Sequence, residues 1–381
     1  MNVMISKPVF AFVCFLLFIG CESNPTPTTN TIVADSSTAV KPTVPHSPTV
    51  LSSFVFVGCN RVDRHDTAYS NASTANLPAL QRIYQDIVDL PQQPALFFFL
   101  GDMVLGETNI PNLNKQLEAW VKLYQDTSFS SISQSGIELV AVPGNHEMLY
   151  YGNDAEWPLR GATDIWMQHM QPFIPIDAQH VTGPDSLNNR ATFSFKRGNV
   201  GFVVMNTDTY NYPTSTHEFG LEGQIPVDWI GAQIAAFKAD NTVEHIFVLG
   251  HKPYYVMGQA RTDHTGLADG PALWPLLEQS EVVALLSAHV HDYYREQPQD
   301  TGTYQIIAGN GGSPGTARFF GYSIINIMSD GSVELDSRGF TVGNPYYEAV
   351  PNNPITSRDQ TTLTWAANTH PYLYPKTDTA K

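Results

Sequence analysis

The sequence predicts an α/β fold in which buried β-sheet lies between layers of helices. Short apolar runs of strand-like composition alternate with stretches that carry apolar residues at helical spacing. Most of these runs are almost continuously apolar, which is typical of strands that helices cover. The strands predicted from Tyr304 onward follow one another without room for helices, so we expect that part of the sheet to be antiparallel.

The elements follow from these patterns in chain order. Strands are predicted at Phe54–Gly58, Ala95–Leu100, Ile137–Val142, Val200–Asn206, His245–Leu249, Val282–Ser287, Tyr304–Ala308, Tyr322–Ile327 and Val333–Leu335. Helices are predicted at Leu77–Leu90, Leu113–Gln125, Ala155–Met170, Pro226–Ala239 and Pro271–Glu278. With 42% hydrophobic and 11% aromatic residues among 381, the chain can build a sizeable core.

The N-terminus has the form of a secretory signal peptide over residues 1–20. Lys7 precedes the apolar run Val9–Ile19, which is too short to span a bilayer. The run leads into Gly20-Cys21, which resembles the lipobox of bacterial lipoproteins, where the cysteine is acylated. We therefore expect an exported protein anchored through Cys21 to a bacterial membrane, on its periplasmic or cell-surface face.

The rest of the chain is predicted to contain one folded domain. Residues 21–50 are rich in Pro, Thr and Ser and read as a disordered tether. The domain is expected over residues 51–345, and the segment 346–381, rich in Pro, Tyr, Thr and Asn, is expected to pack on its surface.

Cysteine content and charge restrict the chemistry. The cysteines are Cys14, Cys21 and Cys59, so only Cys59 would remain with a thiol in the mature domain, where no internal disulfide is possible. The net charge of −16 and the 20 Lys and Arg residues argue against nucleic-acid binding, which requires clustered basic residues. An anionic substrate would then need metal ions to supply positive charge.

Four polar motifs follow predicted strands, at the strand ends where open α/β sheets place their ligands. In chain order they are Gly101-Asp102, Gly144-Asn145-His146-Glu147, Gly250-His251 and His289-Val290-His291. A single Gly-Asp turn or a single histidine is common without function, and the spacing of His-x-His along a strand would place both rings on one face. Together, the oxygen and imidazole groups predict a site for Zn, Fe or Mn.

These motifs resemble those of the calcineurin-like metallophosphoesterases, which include purple acid phosphatases and D-type alkaline phosphatases. The resemblance covers about residues 52–340 and is most specific at Gly-Asn-His-Glu and His-x-His. It implies a four-layer αββα sandwich of two mixed β-sheets flanked by helices. It also implies two metal ions that hydrolyse a small phosphate ester with an activated water.

The resemblance assigns a role to each motif residue. Asp102 would bridge both metals, Asn145, His251 and His289 would bind the second metal, His291 would bind the first, and His146 would act as general acid or as a donor to the leaving oxygen. Glu147 either orients a neighbouring group or is an ordinary acid at a helix N-terminus.

The first motif of the family, Asp-x-His, does not follow the first predicted strand of this chain. The first strand ends in Gly58-Cys59-Asn60-Arg61 instead. We prefer Cys59 as a thiolate ligand to the first metal in place of the aspartate, because it is the one cysteine left in the domain and a coordinating thiol is deprotonated. The alternatives are Asn60, the Asp63 and His65 pair farther along, or weak or absent binding of the first metal.

Two further positions bear on function. Purple acid phosphatases have a coloured tyrosinate three residues after the bridging aspartate, where this chain has Leu105, so we expect no such absorption band. Arg61 would contact substrate phosphate or remain an ordinary loop arginine.

Two rival functions stay open. One is a lipid-anchored phosphoester-binding protein with weakened or lost catalysis. The other, a glycan-binding module, would use Trp157, Trp166, Tyr254 and Tyr255.

Overall fold

A computed structural model describes most of the chain beyond the N-terminal 46 residues. The described residues are 47–62, 71–106, 109–151, 156–159, 161–183, 186, 189–209, 223–256, 266–315, 317–342 and 353–366. The predicted signal peptide, Cys21 and most of the predicted tether lie outside these ranges, as do Asp63 and His65. Within the described ranges, none of the helices has the length and apolar character needed to cross a bilayer.

The described elements are fifteen strands and six helices, in addition to short 3₁₀ turns. The strands are β1 Val50–Val57, β2 Leu96–Leu100, β3 Glu138–Val142, β4 Leu149–Tyr151, β5 Glu156–Pro158, β6 Gln179–His180, β7 Phe193–Arg197, β8 Val200–Met205, β9 His245–Gly250, β10 Ala284–Ser287, β11 Tyr293–Glu296, β12 Tyr304–Ala308, β13 Phe319–Met328, β14 Val333–Thr341 and β15 Thr356–Thr362. The helices are α1 Leu77–Val88, α2 Ile110–Gln125, α3 Asn145–Met148, α4 Ala162–Met170, α5 Val227–Ala239 and α6 Gly270–Gln279.

Two mixed sheets carry the fold. The first has the order β15-β14-β13-β1-β2-β3, with β1, β2 and β3 parallel and the remaining neighbours antiparallel. The second has the order β11-β12-β10-β9-β8-β7-β6, with a parallel centre of β12, β10, β9 and β8. Strands β4 and β5 form a small separate ribbon.

Alternation along the strands explains why the sheets stack. In β1, Val55 and Val57 pack with the helices α1, α2 and α4, whereas Phe54 and Phe56 face the second sheet. The Phe54 ring meets Phe202 and Phe247 of that sheet edge-on, with ring centroids 5.1 Å apart in both cases. The opposite face of the second sheet is covered by α5 and α6. The predicted four-layer αββα sandwich is therefore confirmed.

The predicted helix at Ala155–Met170 is wrong in its first part. Only Ala162–Met170 is helical, whereas Glu156–Pro158 is a strand paired with Leu149–Tyr151. Pro158 has no N–H to donate to a continuing helix. Gly161 then takes a left-handed φ of 86°, which starts α4 separately.

The segment 346–381 contributes to the sheet. Its strand β15 pairs antiparallel with β14 and forms one edge of the first sheet. The sheet thus extends beyond residue 345, and this part of the segment is more than the surface covering that the sequence suggested.

Candidate metal centre

The predicted motifs meet at one end of the sheets. Asp102 follows β2, Asn145 begins α3 just after β3, and His251 follows β9. His289 follows β10, which is parallel to β9, as β3 is to β2. Because parallel strands end at the same edge, each sheet delivers its motifs to a common location.

His-x-His does not lie on a strand. His289 and His291 fall between β10, which ends at Ser287, and β11, which begins at Tyr293. His289 has a left-handed φ of 62°, so the alternation argument used for a strand does not apply to this pair. The expectation that both rings share a strand face is therefore corrected.

Left-handed backbone is concentrated at the site. Cys59, Asp102 and His289 have φ values of 58°, 54° and 62°, which side-chain-bearing residues adopt at a cost of about 1 kcal/mol or more. Gly144 lies so close to Asp102 that a Cβ atom added there would be 2.4 Å from Asp102 Oδ1. Packing around these three residues keeps the backbone left-handed, and this backbone conformation directs their side chains into the cleft.

Glu147 fixes two of the loops against each other. Its buried carboxylate accepts hydrogen bonds from the backbone N–H groups of Gly144 (2.7 Å), Asp102 (3.0 Å) and Val104 (3.1 Å). Burial raises the pKa of this carboxyl to about 7, with the Asp102 charge as the next cause. Of the two roles left open for Glu147, the structure supports the one in which it orients its neighbours.

Four side chains form the metal-centre cluster: Asp102, Asn145, His251 and His289. His251 Nε2 lies 2.9 Å from Asn145 Oδ1, 3.2 Å from Asp102 Oδ1 and 3.2 Å from His289 Nδ1. Asn145 Oδ1 is also 3.1 Å from His289 Nδ1. The other nitrogen of His251, Nδ1, donates to the Leu100 carbonyl at 2.7 Å, so its Nε2 lone pair faces the cluster.

The electrostatics of the cluster favour a cation at its centre. Burial alone would raise the pKa of Asp102, but His251, His146 and Arg61 hold it well below its usual value. Burial alone would lower the pKa of His251, but the Asp102 carboxylate outweighs that effect and raises it. The side-chain oxygens of Asp102 and Asn145 therefore converge on the Nε2 of His251, where a proton or a metal ion balances the Asp102 charge. The donor set fits a borderline metal such as Zn, Fe or Mn.

Cys59 lies beside this cluster. Among the described residues, three possible ligand atoms lie within 4.8 Å of one another: the Sγ of Cys59, a carboxylate oxygen of Asp102 and a ring nitrogen of His251. Burial raises the pKa of the Cys59 thiol well above its usual value, so the thiol is neutral unless a bound cation deprotonates it.

The side chain of Asn60 is oriented by hydrogen bonds from its nitrogen. Its side-chain nitrogen donates to the Gly311 carbonyl at 2.7 Å and to the Asn76 carbonyl at 3.3 Å. These bonds anchor a glycine-rich loop, residues 309–315, against the end of β1. The side-chain oxygen of Asn60 is buried and accepts no hydrogen bond from the described residues, so Asn60 stays an alternative to Cys59 in the place of the family aspartate.

His291 is positioned by the same loop. Its Nδ1 is hydrogen-bonded to the Pro314 carbonyl, and it lies outside the group formed by Cys59, Asp102 and His251. Its predicted role as ligand to the first metal stays a prediction.

His146 stands at the rim of the cluster. Its Nδ1 donates to the Leu105 carbonyl at 2.6 Å, and its Nε2 lies 3.9 Å from Asp102 Oδ2. Burial, followed by the positive charge of Arg61, lowers the pKa of His146 to about 3. The ring is therefore neutral at pH 7, with its Nε2 lone pair aimed toward the Asp102 side of the cleft.

Arg61 also faces Asp102. Its Nε lies 3.8 Å from Asp102 Oδ2, and its side chain is 16% exposed. The predicted phosphate contact by Arg61 stays a prediction, but its charge points into the metal centre.

Two supporting features were not identified from sequence. A fully buried ion pair joins Lys252, the residue after His251, to Asp208 at 2.8 Å. The loop 309–315 also contacts the site, since the Ser313 N–H donates to the Cys59 carbonyl at 2.8 Å. The run Gly309-Asn310-Gly311-Gly312 directly after a predicted strand was the available signal for the second feature.

The aromatic residues offered for glycan binding do not form an exposed platform. Trp166 is completely buried, and both Tyr254 and Tyr255 pack against Trp274. The side chain of Trp157 lies outside those that the structure describes.

Comparisons with known proteins identify the family of this chain. The family model of the calcineurin-like phosphoesterases matches residues 54–293. The structure of PhoD is similar at 13% identity over 85% of this chain and 72% of PhoD, with a TM-score of 0.53.

Other solved structures match more loosely. GAP50, the anchor in the inner membrane complex of Plasmodium, matches at 15% identity over 77% of this chain and 85% of GAP50, with a TM-score of 0.49. Zinc-complexed Vps29 from Entamoeba histolytica matches at 8% identity over 82% of this chain and 99% of Vps29, with a TM-score of 0.35. No curated protein matches the sequence. The family model matches well over half of this chain and ends in β11, the strand that follows His-x-His. The chain therefore belongs to the calcineurin-like phosphoesterase family of metal-dependent phosphoester hydrolases.

Proposed function

We propose that this protein is an exported, lipid-anchored hydrolase of small phosphate esters that works with metal bound at the metal-centre cluster. The observation that carries the proposal is the convergence of Asp102, Asn145, His251 and His289 within 3.2 Å contacts at the shared end of the parallel strands. The family membership supplies the reaction class.

The residues of this chain supply positioning and charge. Asp102 and Asn145 present oxygen ligands, and His251 and His289 present ring nitrogens, so the cluster can hold one ion without further groups. Cys59 can add a thiolate to the same ion. A bound ion would supply Lewis acidity toward the phosphoryl oxygens and toward water.

His146 is placed to act on the reacting group and not on the ion. The Leu105 carbonyl holds its ring in one tautomer, with Nε2 toward the cleft. A neutral ring in this tautomer can accept a proton from an attacking water, and once protonated it can deliver that proton to the leaving oxygen.

A second ion, as the resemblance implies, would use the other oxygen of Asp102 with Cys59 and His291. It stays a prediction, because the described contacts of His291 lead to the loop 309–315.

Export and anchoring rest on residues 1–50, which precede the domain. The signal-like run and Cys21 support an acylated N-terminus, and the Pro- and Thr-rich stretch supports a tether that separates the domain from the membrane. A Cys21→Ser variant should move from the membrane fraction to the soluble fraction, and mass spectrometry of the mature N-terminus should find acyl chains on Cys21. An unmodified cysteine would contradict the anchor.

Hydrolysis is tested with p-nitrophenyl phosphate and its bis ester, using chelated protein with Mn, Zn or Fe added back. We expect metal-dependent release of p-nitrophenol that falls by about 10²–10⁴-fold in His146→Ala. If no metal produces turnover above the level of His146→Ala, the protein binds phosphoesters without hydrolysing them, and the proposal is wrong.

A further inference from the structure

The two oxygens of the Asp102 carboxylate face different partners. Oδ1 lies 3.2 Å from His251 Nε2 and accepts the His146 backbone N–H at 3.2 Å. Oδ2 lies 3.8 Å from the Nε of Arg61 and 3.9 Å from the Nε2 of His146. Arg61 therefore stands beside the carboxylate that would bridge the two ions in a two-metal site.

Arg61 is held there by the backbone. The N–H groups of Asn60 and Arg61 both donate to the Asp102 carbonyl, at 2.9 Å and 3.0 Å, and Arg61 forms a β-bridge with Ala75. Its Nε is buried and, within the described part of the chain, donates to no hydrogen-bond acceptor. The buried Nε of the guanidinium thus lies beside the carboxylate.

We propose that the guanidinium of Arg61 takes the place of one metal ion, so that the centre holds a single ion on the Oδ1 side of Asp102. This inference rests on the proposed function. The guanidinium is a cation, and an ion on Oδ2 would lie next to that charge in a poorly screened environment.

The ligand motif of the family is also altered on the Arg61 side. Arg61 occupies the position that is histidine in the Asp-x-His motif. Cys59 groups with Asp102 and His251, so its thiolate is available to the single ion. A planar guanidinium can bind two phosphoryl oxygens at once, which supplies the charge and orientation that an ion would otherwise give.

The test counts ions per chain. Protein stripped with chelator is reconstituted with Mn or Zn, desalted and analysed by elemental mass spectrometry. The wild type should retain one ion per chain, and Arg61→His, which restores the family histidine, should retain two. Arg61→Gln should keep at least one ion while kcat falls by about 10²–10³-fold, the range expected when a donor to the reacting group is removed.

Arg197→Gln is the matched control, because Arg197 pairs with Glu138 and Asp177 on the surface. It should match the wild type in ion content and rate. Two ions in the wild type would overturn the inference, as would an Arg61→His variant that still binds one. If the wild type binds two ions and hydrolyses phosphate esters, the inference fails and the proposed function stands. If Arg61→Gln does not fold, the wild-type count still decides.

Discussion

Glu147 shows how one side chain organises the metal centre. Its carboxylate receives three backbone N–H groups from the two loops that present Asp102 and Asn145. Each of these donors is buried, so leaving one without an acceptor is costly. We infer that Glu147 positions the ligands without binding the ion itself.

A Glu147→Gln variant tests this role. Glutamine keeps one oxygen but places an NH₂ group against the backbone donors, so we expect a loss of about 1–3 kcal/mol in the free energy of unfolding, measured by urea denaturation. Metal affinity should fall by about 10–100-fold in a competitive chelator titration. The control is Glu118→Gln on the exposed face of α2, which should change neither value appreciably. Equal behaviour of the two variants would contradict the role.

Cys59 is the residue whose role is most open to direct test. We expect Cys59→Ser to lower metal affinity at least tenfold in the same titration, because a serine hydroxyl remains protonated where a thiol becomes a thiolate ligand. With cobalt as probe, the wild type should show a sulfur-to-metal absorption band that the variant lacks. Full metal content and activity in Cys59→Ser would rule out the thiolate.

At the level of single residues, the sequence identified the metal-centre cluster but not the residues that hold it in place. Asp102, Asn145, His251 and His289 could be found because each follows an apolar strand in a short motif. The sequence left two roles open for Glu147 and did not identify the Lys252–Asp208 pair, because both depend on contacts between segments far apart in the chain. The direction of Arg61 toward Asp102 likewise depends on the loop after β1.

Among the elements, β15 shows where sequence patterns fail. Its residues, Thr356–Thr362, are polar throughout, and most are exposed. An edge strand needs no apolar alternation when only its backbone pairs with the sheet. The strand is instead fixed by Asp359, whose carboxylate receives Arg295 at 2.6 Å and the Tyr293 hydroxyl at 2.6 Å.

We expect Asp359→Ala to destabilise the domain by about 3–5 kcal/mol, because it removes the carboxylate that pairs with the buried Arg295 charge. Urea denaturation measures the change. The exposed pair of Glu118 with Lys122 provides the comparison, and Glu118→Ala should cost less than about 1 kcal/mol. If both variants lose the same small amount, Asp359 does not anchor β15.

The helix boundaries illustrate a second limit. The periodicity of Ala155–Met170 suits a helix, but Pro158 and the left-handed Gly161 divide it into a strand and a helix. Such breaks are visible as single residues, yet a pattern averaged over many positions does not register them.

At the scale of the whole molecule, the sequence predicted the layers and not the strand order. Continuous apolar strands with intervening helices were sufficient to predict buried sheets. The order in which β8, β9, β10 and β12 lie side by side is set by packing between distant segments. That order brings His251 and His289 from the second sheet to Asp102 and Asn145 from the first.

Stability should depend on pH through His146. In the folded, metal-free protein its pKa is lowered from the usual 6.5 to about 3, chiefly by burial and then by Arg61. Below pH 6.5 the unfolded chain binds a proton that the folded protein does not. The contribution of this group is therefore complete above pH 6.5 and is lost as the pH falls toward 3, by up to about 1.4 kcal/mol per pH unit.

The measurement is urea denaturation with chelator present at pH 7, 6, 5 and 4, for the wild type and His146→Gln. Glutamine does not titrate, so the stability of the wild type relative to the variant should decline as the pH falls. Other groups at the site, including Asp102, Arg61 and His251, are common to both proteins. A difference that stays constant from pH 7 to pH 4 would contradict the assignment.

The central claim is that Asp102, Asn145, His251 and His289 hold a metal ion. A crystal of the manganese- or zinc-loaded protein, with anomalous diffraction recorded at the absorption edge of that metal, tests it most directly. The account predicts an anomalous peak within about 2.0–2.3 Å of an Asp102 oxygen, Asn145 Oδ1, His251 Nε2 and His289 Nδ1. A loaded crystal with no peak there, or with its peak beyond coordinating distance of these four side chains, would contradict it.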